Sequence, residues 1–306
     1  MHDWSLERYR AHLELRGFKS RTIDGNVWLL SKFIAWCEEL QLTPERLTLV
    51  LVEDYRRHRM QRLNAKGRRD TPRSVNLHME ALRHYLGWLG LPPTLLTVLA
   101  PLKAPRKLPK ATPTHEEVMA MLKAIPGEKP KHVRDRAILE VFYSSALRRE
   151  ELINLRIDDL DLEGGLIRVE EGKGGKDRIV PAGRHAVDWT RRWLAIRPRL
   201  VRDDSHRRVF VSKSGLPLDG PSVRDVVRRW AKAAGITKSL SPHSLRRACA
   251  TEMIKNGAPI AYVKEILGHE DYSSINTYVR LVVGDLKKAL AAHHPREQEE
   301  GELPGS

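Results

Sequence analysis

Cysteine is scarce in this chain, with only Cys37 and Cys249 among 306 residues. Both fall inside apolar patterns of helical spacing, so neither a disulfide framework nor a cysteine-based zinc site is available, and a reducing cytoplasm is the expected setting. Long apolar runs are also missing. The longest, Gly87 to Leu102, is too short to span a bilayer and is interrupted by Pro92, Pro93 and Pro101. The opening Met1-His2-Asp3-Trp4 lacks the basic region and following apolar run of an export leader. A cytoplasmic chain with no membrane partner is expected. No internal repeat is visible. Negative charge is the last shortage: 39 Asp and Glu face 54 Lys and Arg, a formal net charge of +15. Such a surface attracts polyanions, and nucleic acid is the commonest of them, because each phosphate neutralised also releases condensed counterions.

What is present reads as folded protein, with 41% hydrophobic and 30% charged residues, and the length suits two domains. The first hundred residues carry helical spacing throughout. Leu6, Tyr9 and Leu13 share a face, and Leu29, Leu30, Phe33, Ile34 and Cys37 form a wider stripe. A third segment runs from about Leu51 to Asn64, and a fourth opens at Pro72 with Val75, Met79, Leu82, Leu86 and Leu89 in register. Residues 1–102 are therefore expected to be a small helical bundle. Residues 103–114, with Pro105, Pro109 and Pro113 among Lys103, Arg106, Lys107 and Lys110, read as an extended basic linker.

A second domain is expected over residues 115–296. It opens where Thr114 and Glu117 match a capping box ahead of Val118, Met121 and Leu122. A helix carrying Val133, Ile138, Leu139 and Phe142 follows. Then the period changes: Leu166, Ile167 and Val169, a turn at Gly172 to Gly175, and Ile179 and Val180 read as a hairpin, which a short strand Val209 to Val211 is expected to join. Helices are expected again at about 185–196, 222–234, 244–256, 260–267 and 285–293. The acidic residues 297–306 read as a disordered tail. The fold class is thus mainly α with a small antiparallel β-sheet in the second domain.

Several short segments of that domain carry chemistry-bearing residues, each with an ordinary structural reading when taken alone. Leu147-Arg148-Arg149-Glu150-Glu151-Leu152 is a charge run at a helix junction. Ser241-Pro242-His243-Ser244-Leu245-Arg246 places a cap and a proline before a helix, so His243 lies at its N-terminus with Arg246 one turn on. That arrangement suits a phosphate, since helix-end amides favour an anion and a guanidinium adds a planar pair of donors. The turn Gly172-Lys173-Gly174-Gly175-Lys176 resembles a nucleotide-phosphate loop, but Asp177 follows where Ser or Thr is needed and no helix comes next. It leaves a two-stranded finger presenting Lys173. Leu267-Gly268-His269 ends a helix at a glycine, and Tyr278 follows Thr277.

In this order the set is specific. Leu-Arg-x-x-Glu-Leu at Arg148 and Glu151, Gly-Lys-Gly-x-Lys at Lys173, His-x-Leu-Arg at His243 and Arg246, Leu-Gly-His at His269 and Thr-Tyr at Tyr278 resemble the tyrosine recombinase (phage integrase) family. The helical first domain is similar to that family's core-binding domain, and His294-Pro295-Arg296 is similar to compact bacterial Xer-like members. Departures are small: Ala146 stands where glycine is usual, Arg247 where histidine is frequent, and Cys249 where a bulkier apolar residue is common.

The resemblance implies a site-specific recombinase. Tyr278 would attack the DNA backbone and form a covalent 3′-phosphotyrosine, with His243 as its base. Arg148 and Arg246 would stabilise the phosphate charge, Glu151 would hold Arg148, Lys173 would protonate the leaving oxygen and His269 would complete the pocket. No cofactor and no metal is implied. The implied partners are double-stranded DNA at specific recombination sites, four protomers of this chain on that DNA passing through a Holliday junction, and accessory proteins where a site requires them. Two other classes stay open at this point: a noncatalytic DNA-binding protein of the same fold, and a type IB topoisomerase that relaxes supercoils without exchanging partners.

Overall fold

The computed structural model describes residues 4–64, 67–92, 94, 100–103, 111–127, 129–170 and 177–268. The chain divides into two compact units, Met1–Lys107 and Leu108–Ser306. Among the described residues the architecture is mainly helical with one small antiparallel sheet.

Unit one holds α1 (Leu6–Leu15), α2 (Ser20–Glu39), α3 (Leu49–Gln61) and α4 (Pro72–Trp88). Each buries the stripe that its spacing announces. Tyr9 and Leu13 of α1 meet Ile23, Leu30, Phe33 and Cys37 of α2, and Val75, Met79, Leu82 and Leu86 of α4 close the core. Helix α3 begins two residues before the expected position, with the Thr48 hydroxyl accepting from Leu51 N at 3.3 Å. It stops short of Asn64, because Leu63 pairs with Arg69 in a small bridge instead. The start of α4 at Pro72 is fixed by Thr71, whose hydroxyl accepts from Ser74 N at 3.2 Å. Asn76 of α4 exchanges two hydrogen bonds with the backbone of Leu102, at 2.8 and 3.0 Å.

Unit two opens on α5 (His115–Lys123), where Thr114 and Glu117 form the reciprocal capping box read from the sequence, at 3.3 and 2.8 Å. Next come α6 (Pro130–Ser145) and the short α7 (Arg149–Asn154). The strands β1 (Leu160–Asp161), β2 (Leu166–Val169) and β3 (Arg178–Pro181) then pair antiparallel in the order β1-β2-β3, with Ile167 opposite Val180 and Val169 opposite Arg178. The helices α8 (Arg184–Ile196), α9 (Gly220–Ala233), α10 (Pro242–Lys255) and α11 (Ile260–Leu267) complete the described residues. Helix α6 is the centre of this unit, packing on α8 and α10, and its Phe142 lies in one core with Trp193, Phe210, Val226 and Leu245.

One expectation for the sheet is corrected. Val209 to Val211 does not join the sheet. Val209 N donates to Leu155 O at 2.9 Å, Arg208 bridges Arg156, and Val211 bridges Pro217, so the segment's backbone is satisfied by neighbouring loops. Its side chains are fully buried, which is why its composition resembles that of a strand. The third strand is instead the two-residue β1. The Gly172 to Gly175 turn, the helix expected at 285–293, the acidic tail and residues 104–110 of the linker lie outside the described residues.

Candidate active site

The site is built at one carboxylate. Arg148 is the N-cap of α7 in extended conformation, which puts Glu151 one turn on at the third helical position. The Glu151 carboxylate reaches back to accept from Arg148 N at 2.7 Å, while Arg148 NH1 donates to it at 2.6 Å. One side chain thus caps the helix and fixes the guanidinium.

A second arginine shares that carboxylate. Arg178 of β3 donates from NH1 and NH2 to the two Glu151 oxygens at 2.9 and 2.8 Å, a fork-on-fork pair. Arg246 of α10 adds a third cation, its NH1 lying 3.9 Å from Glu151 Oε2. Three guanidinium groups therefore converge on one buried acid. Burial alone would push the Glu151 carboxyl up, but hydrogen bonds from Arg178 and from the Arg148 backbone and side chain overcome that and hold it down at about 2.

The same arginines finish a helix. The last turn of α11 leaves carbonyls without intrahelical donors and carries the negative end of the helix dipole. Arg178 Nε donates to Ile266 O at 3.4 Å, Arg246 NH2 donates to Leu267 O, and Arg148 NH2 donates to Gly268 O at 2.8 Å. Three consecutive carbonyls take one guanidinium each. Gly268 has φ +57° at this C-cap, and a Cβ there would lie 3.0 Å from Arg178 Cδ and Nε, so both backbone and packing call for glycine.

The cations differ in burial. The Arg246 side chain is 2% exposed, and its NH1 also donates to Ala146 O at 2.5 Å, so it ties together α6, α10 and α11. Arg148 is 23% exposed and can meet a ligand. His243 is exposed at the N-terminal turn of α10, where Pro242 is the first helical residue and Ser241 N donates to Ser244 Oγ at 3.1 Å. Ala146, the departure noted before Leu147, is the left-handed C-cap of α6 at φ 49°, the conformation that makes glycine usual there. Arg247 donates to Ala111 O at 3.0 Å, and the Cys249 thiol, pushed up to about 12 by burial, faces Ser144 O.

Of the residues singled out in the sequence, Arg148, Glu151 and Arg246 are brought together, and His243 lies one turn before Arg246 on the same helix. Lys173, His269 and Tyr278 lie outside the described residues. Arg178 was missed. Its signal was the two-residue period of β3, where Arg178 shares the inward face with buried Val180; an arginine on a core-facing strand position needs an acid partner. Among the described residues no three of His, Cys, Asp and Glu gather as metal ligands would, and no helix is long and apolar enough to cross a membrane.

Residues 112–283 match the model of the phage integrase family. The chain is 33% identical over 300 residues to tyrosine recombinase XerC 2 of Ralstonia nicotianae, covering 95% of this chain and 86% of that protein. Among solved structures, the crystal structure of XerA recombinase superposes with a TM-score of 0.55 at 27% identity, covering 96% of this chain and all of the other. The Tn1549 transposon integrase in complex with transposon right end DNA gives a TM-score of 0.72 over 96% of this chain and 99% of the other; at 18% identity that likeness bears on the fold.

Proposed function

The chain belongs to the phage integrase family and is a tyrosine site-specific recombinase, and from that premise we propose that it cleaves and rejoins DNA through Tyr278 in a pocket organised by Glu151. The observation that carries the reading is the convergence of Arg148 and Arg246 on Glu151 and on the end of α11, one peptide bond before His269. Residues far apart in sequence meet there, with 120 positions separating Arg148 from Gly268.

The chemistry follows from the groups. A phenol with a pKa near 10 is ionised in only about one molecule in a thousand at pH 7, a handicap of roughly 4 kcal/mol. His243 at the exposed start of α10 takes the Tyr278 proton as the oxygen attacks the scissile phosphorus. Negative charge grows on the non-bridging oxygens, where Arg148 and Arg246 stabilise it with His269 donating beside them. The deoxyribose 5′-oxygen leaves with a proton from Lys173. The product is a 3′-phosphotyrosine, which keeps the ester energy, so attack by a 5′-hydroxyl of another strand rejoins DNA without ATP.

Residues 1–102 act as the core-binding domain and residues 115–296 as the catalytic domain, joined by the basic linker 103–114. Double-stranded DNA is the partner, as the net charge of +15 favours. Four protomers exchange strands in pairs through a Holliday junction, with accessory proteins where the site requires them, in the cytoplasm. The test is Tyr278→Phe. DNA affinity should be retained while the denaturation-resistant protein–DNA adduct disappears, and sequencing the DNA of wild-type adducts identifies the site. An adduct that survives the substitution moves the nucleophile elsewhere, with Tyr272 the nearest tyrosine in sequence.

A further inference from the structure

Arg178 has no role in the reaction as described, yet its fork engages both oxygens of Glu151, at 2.9 and 2.8 Å, and its Nε reaches Ile266 O at 3.4 Å. Its side chain is 11% exposed, and its Nε, NH1 and NH2 each donate to Glu151 or to Ile266 O. Each Glu151 oxygen accepts once from Arg148 and once from Arg178: Oε1 from the two NH1 groups, Oε2 from Arg148 N and Arg178 NH2. The orientation of the carboxylate, and through it of the Arg148 guanidinium, therefore depends on Arg178.

We propose that Arg178 is a positioning residue for DNA cleavage: by locking the Glu151 carboxylate against the end of α11, its guanidinium sets where Arg148 meets the scissile phosphate. The inference rests on the reading of Arg148 given above. Lysine cannot substitute, because one ammonium does not supply two parallel donors to a carboxylate and a third to a carbonyl. The glycine at 268 is part of the same device, since a Cβ there would press on Arg178 at 3.0 Å. Arg178 is also the largest hydrogen-bonding contributor to the low Glu151 pKa of about 2; without it the carboxyl protonates at higher pH and its hold on Arg148 weakens.

The experiment uses the full chain and a nicked duplex carrying the site recovered from trapped adducts. Arg178→Ala and Arg178→Lys are compared with the unsubstituted chain in single-turnover cleavage across pH. We expect DNA affinity within about twofold of the parent, cleavage slower by about tenfold or more, and an acid limb of the rate profile moved to higher pH. The deficit should persist on a duplex with sulfur in place of the bridging 5′-oxygen, because Arg148 acts on the non-bridging oxygens. Where alanine fails to fold, the lysine variant, which keeps the cation, gives the reading. Three results overturn the proposal: parental rates in both variants, full restoration by the sulfur substrate, which would assign Arg178 to leaving-group protonation, or affinity falling in step with rate. Absence of any adduct with the unsubstituted chain sinks this inference together with the nucleophile assignment, whereas parental adduct formation with normal variants sinks this inference alone.

Discussion

At the scale of single residues, the site depends on a few side chains held in unusual circumstances. Glu151 is a buried acid made tolerable by four hydrogen bonds from two arginines, and a buried charge without such partners would cost several kcal/mol. Ala146 is the opposite case, a residue whose backbone is strained and whose side chain is comfortable. Its φ of 49° lies in the left-handed region, which costs a residue with a Cβ about 1 kcal/mol relative to glycine. Its methyl is 1% exposed and packs with Cys249, Ala250, Val263 and Leu267, which offsets that cost. Ala146→Gly is therefore expected to change unfolding free energy by less than about 1 kcal/mol, whereas Ala146→Val, adding a branched Cβ in the same conformation, should destabilise by about 2 kcal/mol or more. Chemical denaturation of both variants checks this, and a valine variant as stable as the parent would contradict it.

At the scale of elements, helix α4 carries a titration of its own. His78 lies on its buried face at 3% exposure, with Nδ1 lacking a hydrogen-bond partner among the described residues. Burial, reinforced by the Arg59 charge, pushes its pKa down from 6.5 to about 4. Between those values the unfolded chain binds a proton that the folded chain refuses, so the stability of unit one is fully present above pH 6.5 and declines as pH falls toward 4. His78→Leu should flatten that limb in a pH series of thermal unfolding followed by tryptophan fluorescence; an unchanged limb would assign the acid sensitivity to another group. The helical stripe holding His78 was legible because Val75, Met79, Leu82 and Leu86 repeat at three and four. The capping box at Thr114 was legible for a local reason, a hydroxyl followed three residues on by Glu117. The strand β1 was not, since two residues carry no period. Nor was the fate of Val209 to Val211, whose partners, Leu155 among them, are set by tertiary packing rather than by anything in the segment. Arg178 lay between, visible in the alternation of β3 but recognisable only once Glu151 is placed opposite it.

At the scale of the whole molecule, the surplus of positive charge was readable from composition, because it is a property of a sum rather than of geometry. The set Arg148, Glu151, His243 and Arg246 was readable only as an ordered series of motifs, and the fold gives it physical sense by ending α11 on three guanidinium groups. The proposed reaction makes one covalent bond in that setting. Protease digestion of the trapped protein–DNA adduct, followed by mass spectrometry of the peptide bearing the residual nucleotide, tests it most directly. The added mass is expected on Tyr278 and to vanish when Arg148 is replaced by alanine; nucleotide found on Tyr272 or any other residue, or undiminished in the Arg148→Ala chain, would contradict it.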